Sequence, residues 1–336
     1  MSTPRILSVV TPELYDRLFA DDIRAKLHAI GEVTLQADDR PWTPERLAAE
    51  IGGYDALLTC WGAPELTPAV LDAAGRLGIV AHAAGTVKFF VGEDVLRRGI
   101  RVSSALAAMS PAVAEFALLL TMLGLRPVHR YDAAMHNDPN GWHTKESLGY
   151  GPELAASRIG VVGAGLIGRL YIAKVRALGA EVAVHDPYLT EEDARSLGVE
   201  RVSLAELMRS CPIVAVHAPT TPETHHMIGA AELALMEDGG YLINTARSWV
   251  VDQAALLAEL ESGRLRAALD VYDEEPLPAD HPYRALDNVI LTPHVAGATA
   301  QTNWRQGAFA VEDLRRFFAG EPLLHEVTPE RYRVMA

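Results

Sequence analysis

Cysteine and clustered positive charge are the two features in which this chain is poorest. Its 336 residues include two cysteines and carry a formal net charge of -14. Cys60 and Cys211 each lie beside apolar, strand-like residues, which predicts buried thiols in a reducing compartment and leaves a disulfide or a nucleophile as alternatives. Nucleic acids and anionic membrane surfaces are recognised by clustered Lys and Arg, which no segment supplies, so the composition argues against both as partners.

Long apolar runs are also missing. The longest, Pro111 to Leu125, includes Glu115 and is shorter than the roughly 18 residues that a membrane span needs. The N-terminus carries acidic residues rather than an apolar signal core, so export is not indicated and we expect a cytoplasmic protein. The apolar content of 49%, with 22% charged residues, is that of a globular protein, and the length suits about two domains.

What the sequence does contain is a regular alternation of short apolar segments with helix-like ones. The alternation runs through the first hundred residues and resumes after residue 158. It predicts an α/β protein with two doubly wound parallel sheets, one flavodoxin-like and one of the Rossmann type, with a cleft between the domains. The predicted strands include Arg5–Val10, Val33–Leu35, Ala56–Thr59, Ile79–His82, Ile100–Ser103, Ile159–Val162, Glu181–His185, Ile213–His217, Tyr241–Asn244, Leu265–Val271 and Val289–Leu291.

The domain boundaries are predicted from the segments between these sets. Residues 1–105 and 300–336 are predicted to form one discontinuous domain, and residues 106–299 the other. A helix from Pro111 to Leu123, capped by Ser110, would cross between them. Residues 125–150 lack clear periodicity, which fits either an arm that packs on the partner subunit of a homodimer or a surface loop. The amphipathic helix Ala300–Phe318 would return to the first domain.

The cofactor is predicted from a glycine run. Gly163, Gly165 and Gly168 follow the predicted strand Ile159–Val162 and open a predicted helix, and the next strand ends at Asp186. This is the dinucleotide-binding context: a tight turn, a helix N-terminus facing the pyrophosphate, and an acid about 20 residues further on for the ribose. A carboxylate accepts from ribose hydroxyls and repels a 2′-phosphate, so NAD is predicted rather than NADP.

Charged side chains follow three predicted strands of the second half. Arg247 comes after Tyr241–Asn244, Glu275 after the strand that ends near Tyr272, and His294 after Val289–Leu291. Ligand-facing residues of an open α/β sheet lie at the carboxyl ends of its strands. These three residues are therefore the candidates for chemistry.

Five segments of the chain occur together in a fixed order: VGAGLIGR (162–169), HAPTTPET (217–224), NTAR (244–247), LDVYDEEPL (269–277) and TPHVAG (292–297). In these segments, their order and their spacing, the chain resembles the D-isomer-specific 2-hydroxyacid dehydrogenase family over nearly its whole length. The resemblance implies an NAD-dependent reductase of 2-oxo acids, which in reverse oxidises D-2-hydroxy acids by hydride transfer.

The resemblance assigns a role to each of the three charged residues. His294 would be the acid/base, because a free imidazole titrates near neutrality. Glu275 would hydrogen-bond the far ring nitrogen, fix its tautomer and favour the charged form. Arg247 would bind the substrate carboxylate and polarise the carbonyl with its guanidinium fork.

No His, Cys or carboxylate set has the spacing of zinc ligands, so no metal is predicted. The resemblance makes residues 106–299 the NAD-binding domain and the discontinuous domain the substrate domain, and it implies the binding residues. The substrate carboxylate would bind backbone N–H groups at Gly85 and Thr86, together with Arg247, and Asp270 would accept a hydrogen bond from the nicotinamide carboxamide. The cofactor set is Gly163, Gly165, Leu166, Ile167, Gly168, Asp186, His217, Pro219, Thr224, Thr245, Ala246, Arg247, Asp270, His294 and Gly297.

Departures from the family pattern concentrate near the substrate. Val87-Lys88-Phe89-Phe90 stands where Asp-Asn is usual, and Ser248-Trp249 follows Arg247 in place of glycine. Lys88 would either add a positive charge near an acidic substrate or be an exposed lysine. Two other functions stay open at this point, an NAD(H)-sensing corepressor-like binding protein and a formate- or phosphite-type dehydrogenase.

Overall fold

The computed structural model describes residues 3–38 and 40–335, which divide into two compact units. The first comprises the residues up to Met109 together with Ala298–Met335, and the second is Ser110–Gly297. The sequence placed the boundaries at 105/106 and 299/300, a few residues from this division. Residues 1, 2, 39 and 336, which the predicted domains include, lie outside the described residues.

The first unit is built on a parallel sheet of five strands in the order β2-β1-β3-β4-β5. Four of its helices begin with a threonine cap followed by proline. The threonine hydroxyl accepts from a first-turn N–H, and the first helical position suits proline because an N–H there would have no partner in the helix. The elements are β1 Arg5–Ser8, α1 Pro12–Leu18, α2 Asp21–Ile30, β2 Glu32–Thr34, α3 Pro44–Glu50, β3 Ala56–Thr59, α4 Pro68–Ala73, β4 Ile79–His82, α5 Glu93–Arg97 and β5 Arg101–Ser104, and later α14 Ala300–Phe318 and α15 Pro329–Val334.

The second unit is built on a parallel sheet of seven strands in the order β12-β11-β10-β9-β6-β7-β8. The strand order reverses direction between β6 and β9, which is where an open α/β sheet forms its ligand crevice. The elements are α6 Leu106–Leu125, α7 Val128–Asn137, α8 Thr144–Leu148, β6 Arg158–Val162, α9 Leu166–Ala177, β7 Glu181–His185, α10 Glu191–Leu197, β8 Glu200–Arg201, α11 Leu204–Ser210, β9 Ile213–Val216, α12 Ala230–Leu233, β10 Tyr241–Asn244, α13 Gln253–Glu261, β11 Arg266–Leu269 and β12 Val289–Leu291.

The central strands of both sheets are buried on both faces. All four residues of β3, β4, β9 and β10 are buried, because crossover helices cover each face of a parallel sheet. The predicted fold class, two doubly wound parallel sheets of flavodoxin-like and Rossmann type, is confirmed. Cys60 and Cys211 are buried free thiols, and burial raises the pKa of Cys60 to about 12, which keeps that thiol protonated.

The helix-like segment from Leu14 to Ile30 forms two helices in the structure. It is interrupted between α1 and α2, where Phe19 and Ala20 are extended. The Phe19 ring is fully buried, and its carbonyl accepts a 2.6 Å hydrogen bond from Arg24 Nε. The chain therefore turns at Phe19 because the ring packs into the core and the freed carbonyl finds a side-chain donor.

Helix α6 also differs from the prediction, since it begins at Leu106 and contains Pro111 in its interior. The helix starts before the proline because Ser104 Oγ accepts from Leu106 N–H at 3.2 Å and Ala108 N–H donates to the Ala105 carbonyl. Ser110 is therefore not the cap. The segment 125–150 likewise has structure of its own, in α7 and α8.

The earlier start makes α6 longer than the apolar run in the sequence. With 20 residues it is long and apolar enough to cross a membrane by length and composition alone, which corrects the expectation that no segment reaches that length. Its residues Ala114, Ala117, Leu120 and Leu125 pack against the second sheet. A buried core helix of this kind passes the same test, so the finding is weak support for a span.

Helix α14 is expected to depend on a close approach at Gly307. A Cβ on Gly307 would lie 2.1 Å from the Leu18 carbonyl oxygen, which belongs to the last residue of α1. Gly307→Ala should therefore lower the free energy of unfolding by about 1–3 kcal/mol, measured by urea denaturation. Gly75→Ala is the matched control, because a Cβ there meets nothing within 4 Å. Equal stability of the two variants would contradict the packing argument.

Candidate active site

The glycine run forms a narrow turn between β6 and α9. Gly163 has φ 96°, and a Cβ on it would lie 2.7 Å from the Ala218 nitrogen, while one on Gly168 would lie 2.1 Å from the Gly163 carbonyl oxygen. Only glycine therefore fits these two positions. A Cβ on Gly165 would meet no atom within 4 Å, so the turn is open on that side.

The turn fits a bound pyrophosphate. Gly165 is the N-cap of α9 and provides no side-chain cap. Among the described residues, the N–H groups of Leu166 and Ile167 have no hydrogen-bond acceptor in the protein. Unpaired N–H groups and the positive end of the helix dipole favour an anion at this position.

Asp186 lies half-buried at the carboxyl end of β7 and is tied to the glycine turn. Its Oδ2 accepts from the Ala164 N–H at 2.7 Å and its Oδ1 from the Tyr188 N–H at 2.8 Å. An ionised carboxylate has about four acceptor sites, so lone pairs remain for ribose hydroxyls. The sequence indicated the ribose role and missed the bond that fixes the turn.

The loop after β9 carries His217, Pro219 and Thr224. The His217 N–H donates to the Val162 carbonyl at 2.7 Å, its ring packs 4.9 Å from that of Tyr171, and burial lowers its pKa to about 4. The imidazole is therefore neutral. Thr224 Oγ1 donates to the Pro219 carbonyl at 2.7 Å, so the loop is braced internally.

Arg247 follows β10 in a turn that Asn244 holds from both sides. Asn244 Oδ1 accepts from the Ala246 N–H at 3.0 Å, and its Nδ2 donates to the Arg247 carbonyl at 2.9 Å. Within the described residues the buried Thr245 hydroxyl lacks a partner. Burial lowers the pKa of the Arg247 guanidinium, while the charge of Glu275 acts in the opposite direction. Arg247 and Glu275 therefore lie within electrostatic reach of each other.

Glu275 and His294 form a direct hydrogen-bonded pair. His294 Nδ1 lies 2.8 Å from Glu275 Oε2, and Glu275 Oε1 accepts from the Tyr272 N–H at 3.0 Å. His294 has φ 54°, a conformation that non-glycine residues adopt mainly where surrounding contacts impose it. The His294 side chain is 47% exposed. With Nδ1 engaged, Nε2 is the ring nitrogen left for a ligand.

The loop that carries His294 is anchored on Asp270, whose side chain is fully buried. Its Oδ1 accepts from Thr292 Oγ1 at 2.5 Å and from the Val295 N–H at 2.9 Å, and its Oδ2 from the Ala296 N–H at 2.8 Å. The predicted contact with the nicotinamide carboxamide stays a prediction. Gly297, the last predicted cofactor residue, closes this loop and is half-buried.

Tyr272 also holds this loop in place. Its position at the end of a predicted strand was the only signal of this role in the sequence. Its hydroxyl donates to the Leu269 and Thr292 carbonyls, both at 2.9 Å. Burial raises the pKa of Tyr272 to about 12, so the phenol keeps its proton. It thereby connects the end of β11 to the start of the loop that carries His294.

The predicted substrate turn lies in the first unit, after β4. Ser104 Oγ donates to the Gly85 carbonyl. Among the described residues, the N–H groups of Gly85 and Thr86 have no acceptor in the protein. Lys88 is half-buried rather than exposed: its Nζ donates to the Arg333 carbonyl at 3.4 Å, and burial lowers its pKa.

Comparison with known proteins places this site in a family. The D-isomer specific 2-hydroxyacid dehydrogenase NAD-binding domain matches residues 116–296. A glyoxylate reductase of Korarchaeum cryptofilum is 32% identical over 95% of this chain and 94% of its own length. The chain belongs to the D-isomer-specific 2-hydroxyacid dehydrogenase family. Its cofactor is NAD, and the glycine turn and Asp186 are the residues here that fit it.

The share of each chain that is matched differs between relatives. A D-3-phosphoglycerate dehydrogenase of Methanocaldococcus jannaschii is 33% identical over 91% of this chain, but the chain spans only 57% of that relative's length. The crystal structure of the apo form of Rhodotorula graminis D-mandelate dehydrogenase has a TM-score of 0.86 at 26% identity and covers 97% of this chain and 98% of its own. The fold is therefore shared along the whole chain.

The bracing by Tyr272 can be tested directly. Tyr272→Phe removes a hydroxyl that donates to two carbonyl oxygens, so the free energy of unfolding should fall by about 1–2 kcal/mol. The control is Tyr188→Phe, because Tyr188 is exposed and should change stability by less than about 0.5 kcal/mol. Urea denaturation of both variants measures the free energies of unfolding. Equal values would show that the Tyr272 hydroxyl does not anchor the loop.

Proposed function

We propose that the chain interconverts a D-2-hydroxy acid and its 2-oxo acid by NAD-dependent hydride transfer. The observation that carries the proposal is the His294–Glu275 hydrogen bond at 2.8 Å. It occupies Nδ1 and directs the acid/base function to Nε2. When bound, NAD(H) supplies or removes the hydride at the carbonyl carbon.

The protein's own residues handle the charge and the proton. In the reductive direction His294 Nε2–H gives its proton to the carbonyl oxygen, and Glu275 stabilises the imidazolium from the other side of the ring. In the oxidative direction neutral His294 takes that proton back from the hydroxyl. Glu275 stays oriented throughout because the Tyr272 N–H holds its second oxygen.

Arg247 and the turn at Gly85–Thr86 would bind the substrate carboxylate. The guanidinium suits this task because it remains charged despite the lowering of its pKa by burial and offers parallel donors to a carboxylate. The unpaired N–H groups of Gly85 and Thr86 suit an anion for the same reason as those of α9.

A homodimer in the cytoplasm is the assembly and location that we propose. The segment 125–150 and the adjoining part of α6 carry large exposed apolar side chains, which a second copy would cover. The buried free thiols agree with a reducing compartment. The exposed side chains are Leu119, Met122, Val128, Met135, Trp142 and Tyr150.

His294→Ala tests the proposed mechanism. Without the proton donor, kcat for 2-oxo acid reduction should fall by about 100- to 10,000-fold. NADH affinity, followed by nucleotide fluorescence, should stay within about twofold, because removal of an acid acts on the transition state. His28→Ala is the control, since His28 is exposed on α2. Wild-type turnover by His294→Ala would overturn the mechanism.

Asp186→Arg tests the choice of cofactor. An arginine would attract the 2′-phosphate that the carboxylate repels, so kcat/KM with NADPH relative to NADH should rise at least about tenfold, equivalent to ~1.4 kcal/mol. Binding of NADH itself should also weaken, because the variant loses the bonds to the Ala164 and Tyr188 N–H groups. An unchanged ratio of kcat/KM with NADPH to that with NADH would mean that another group recognises the ribose.

A further inference from the structure

Two large aromatic side chains lie exposed where adjacent strands of the first unit end. Strands β3 and β4 pair in parallel with Thr59 opposite His82, and a 2.9 Å hydrogen bond joins Thr59 Oγ1 to His82 Nδ1. Trp61 follows the end of β3 by two residues and is 40% exposed. Phe89 lies in the turn after β4 and is 52% exposed. Parallel strands bring both to the same edge of the sheet.

Both aromatic side chains are held in place. The Phe89 ring lies 5.0 Å from that of Phe90 and 5.9 Å, edge to face, from that of His82, and Phe90 and His82 are themselves buried. The Trp61 ring lies 5.4 Å from the guanidinium carbon of Arg17. A fixed aromatic surface loses little side-chain entropy when a ligand covers it. The Phe89 and Trp61 rings can therefore contact a ligand at little cost in side-chain entropy.

Two of the basic side chains near this turn are neutral or hydrogen-bonded. Burial lowers the pKa of His82 to about 3, so its ring is uncharged. Lys88 is half-buried and donates to the Arg333 carbonyl, and the Arg17 guanidinium lies over the Trp61 ring. A phosphorylated substrate would call for converging Arg or Lys side chains. The exposed large side chains at these strand ends, Trp61 and Phe89, are aromatic.

We infer that the 2-oxo acid carries a bulky apolar side chain, aromatic by preference, which packs on Phe89 and Trp61. This inference rests on the proposed function, because it takes the turn at Gly85–Thr86 as the site of the substrate carboxylate. Phe89 is four residues from Gly85 along that turn, so the group next to the carboxylate would contact the ring. Covering exposed aromatic surface with an apolar group removes both from water.

The test is a comparison of 2-oxo acids with the full chain and NADH. The substrates are phenylpyruvate, 4-methyl-2-oxopentanoate, glyoxylate, hydroxypyruvate and 3-phosphohydroxypyruvate. The kcat/KM for phenylpyruvate should exceed those for glyoxylate and 3-phosphohydroxypyruvate at least about tenfold, the usual scale for filling an apolar pocket. A preference for glyoxylate, hydroxypyruvate or the phosphorylated acid would overturn this inference and leave the proposed function standing. No reduction of any 2-oxo acid by a chain that binds NADH would overturn both.

Variants locate the contact on the two rings. Phe89→Ala and Trp61→Ala should each lower kcat/KM for phenylpyruvate about tenfold or more and change that for glyoxylate less than about threefold. Phe89→Tyr and Trp61→Phe keep a ring and should retain the preference. The control is Leu178→Ala, because Leu178 is 51% exposed beyond the C-terminal end of α9 in the other unit. An equal loss for phenylpyruvate and glyoxylate, with NADH binding intact, would overturn the inference.

Discussion

The buried carboxylate of Asp270 is the interaction on which the candidate active site depends. Taking a carboxylate out of water costs several kcal/mol unless its oxygens are hydrogen-bonded. Asp270 meets this requirement with one hydroxyl and two backbone N–H groups, all supplied by residues 292–296. The loop must follow the carboxylate closely for this to occur. His294, in the middle of that loop, is therefore held in a left-handed conformation that its own residue type does not favour.

The topology of the second sheet places the other candidate catalytic groups on the same side as this loop. Parallel strands end at one edge, so β10 and β11 and the residues after β12 deliver Arg247, Glu275 and His294 to the same side of the second sheet. Glu275 is bonded to both His294 and the Tyr272 backbone. The candidate catalytic residues are thus far apart in the chain, yet each lies only a few residues beyond the end of a strand of this sheet.

In the first unit, too, the strands end at one edge of the sheet, but the groups that follow them are different. At this edge the turn at Gly85–Thr86 presents unpaired N–H groups beside exposed aromatic rings. This is the part of the chain that departs most from the family pattern. The fold is shared with the relatives, and the exposed aromatic rings at this turn are a local feature of this chain.

Local patterns in the sequence were enough to predict the type and order of most elements, the cofactor turn and the candidate catalytic residues. For example, β7, β10, β12 and α14 lie where the apolar periodicity predicts them. The three-dimensional structure was needed to see the three hydrogen bonds that Asp270 accepts, the two that the Tyr272 hydroxyl donates, the start of α6 and the break at Phe19. In each case the deciding contact is a hydrogen bond or a packed ring outside the local apolar pattern, and a pattern of apolar spacing contains no information about such partners.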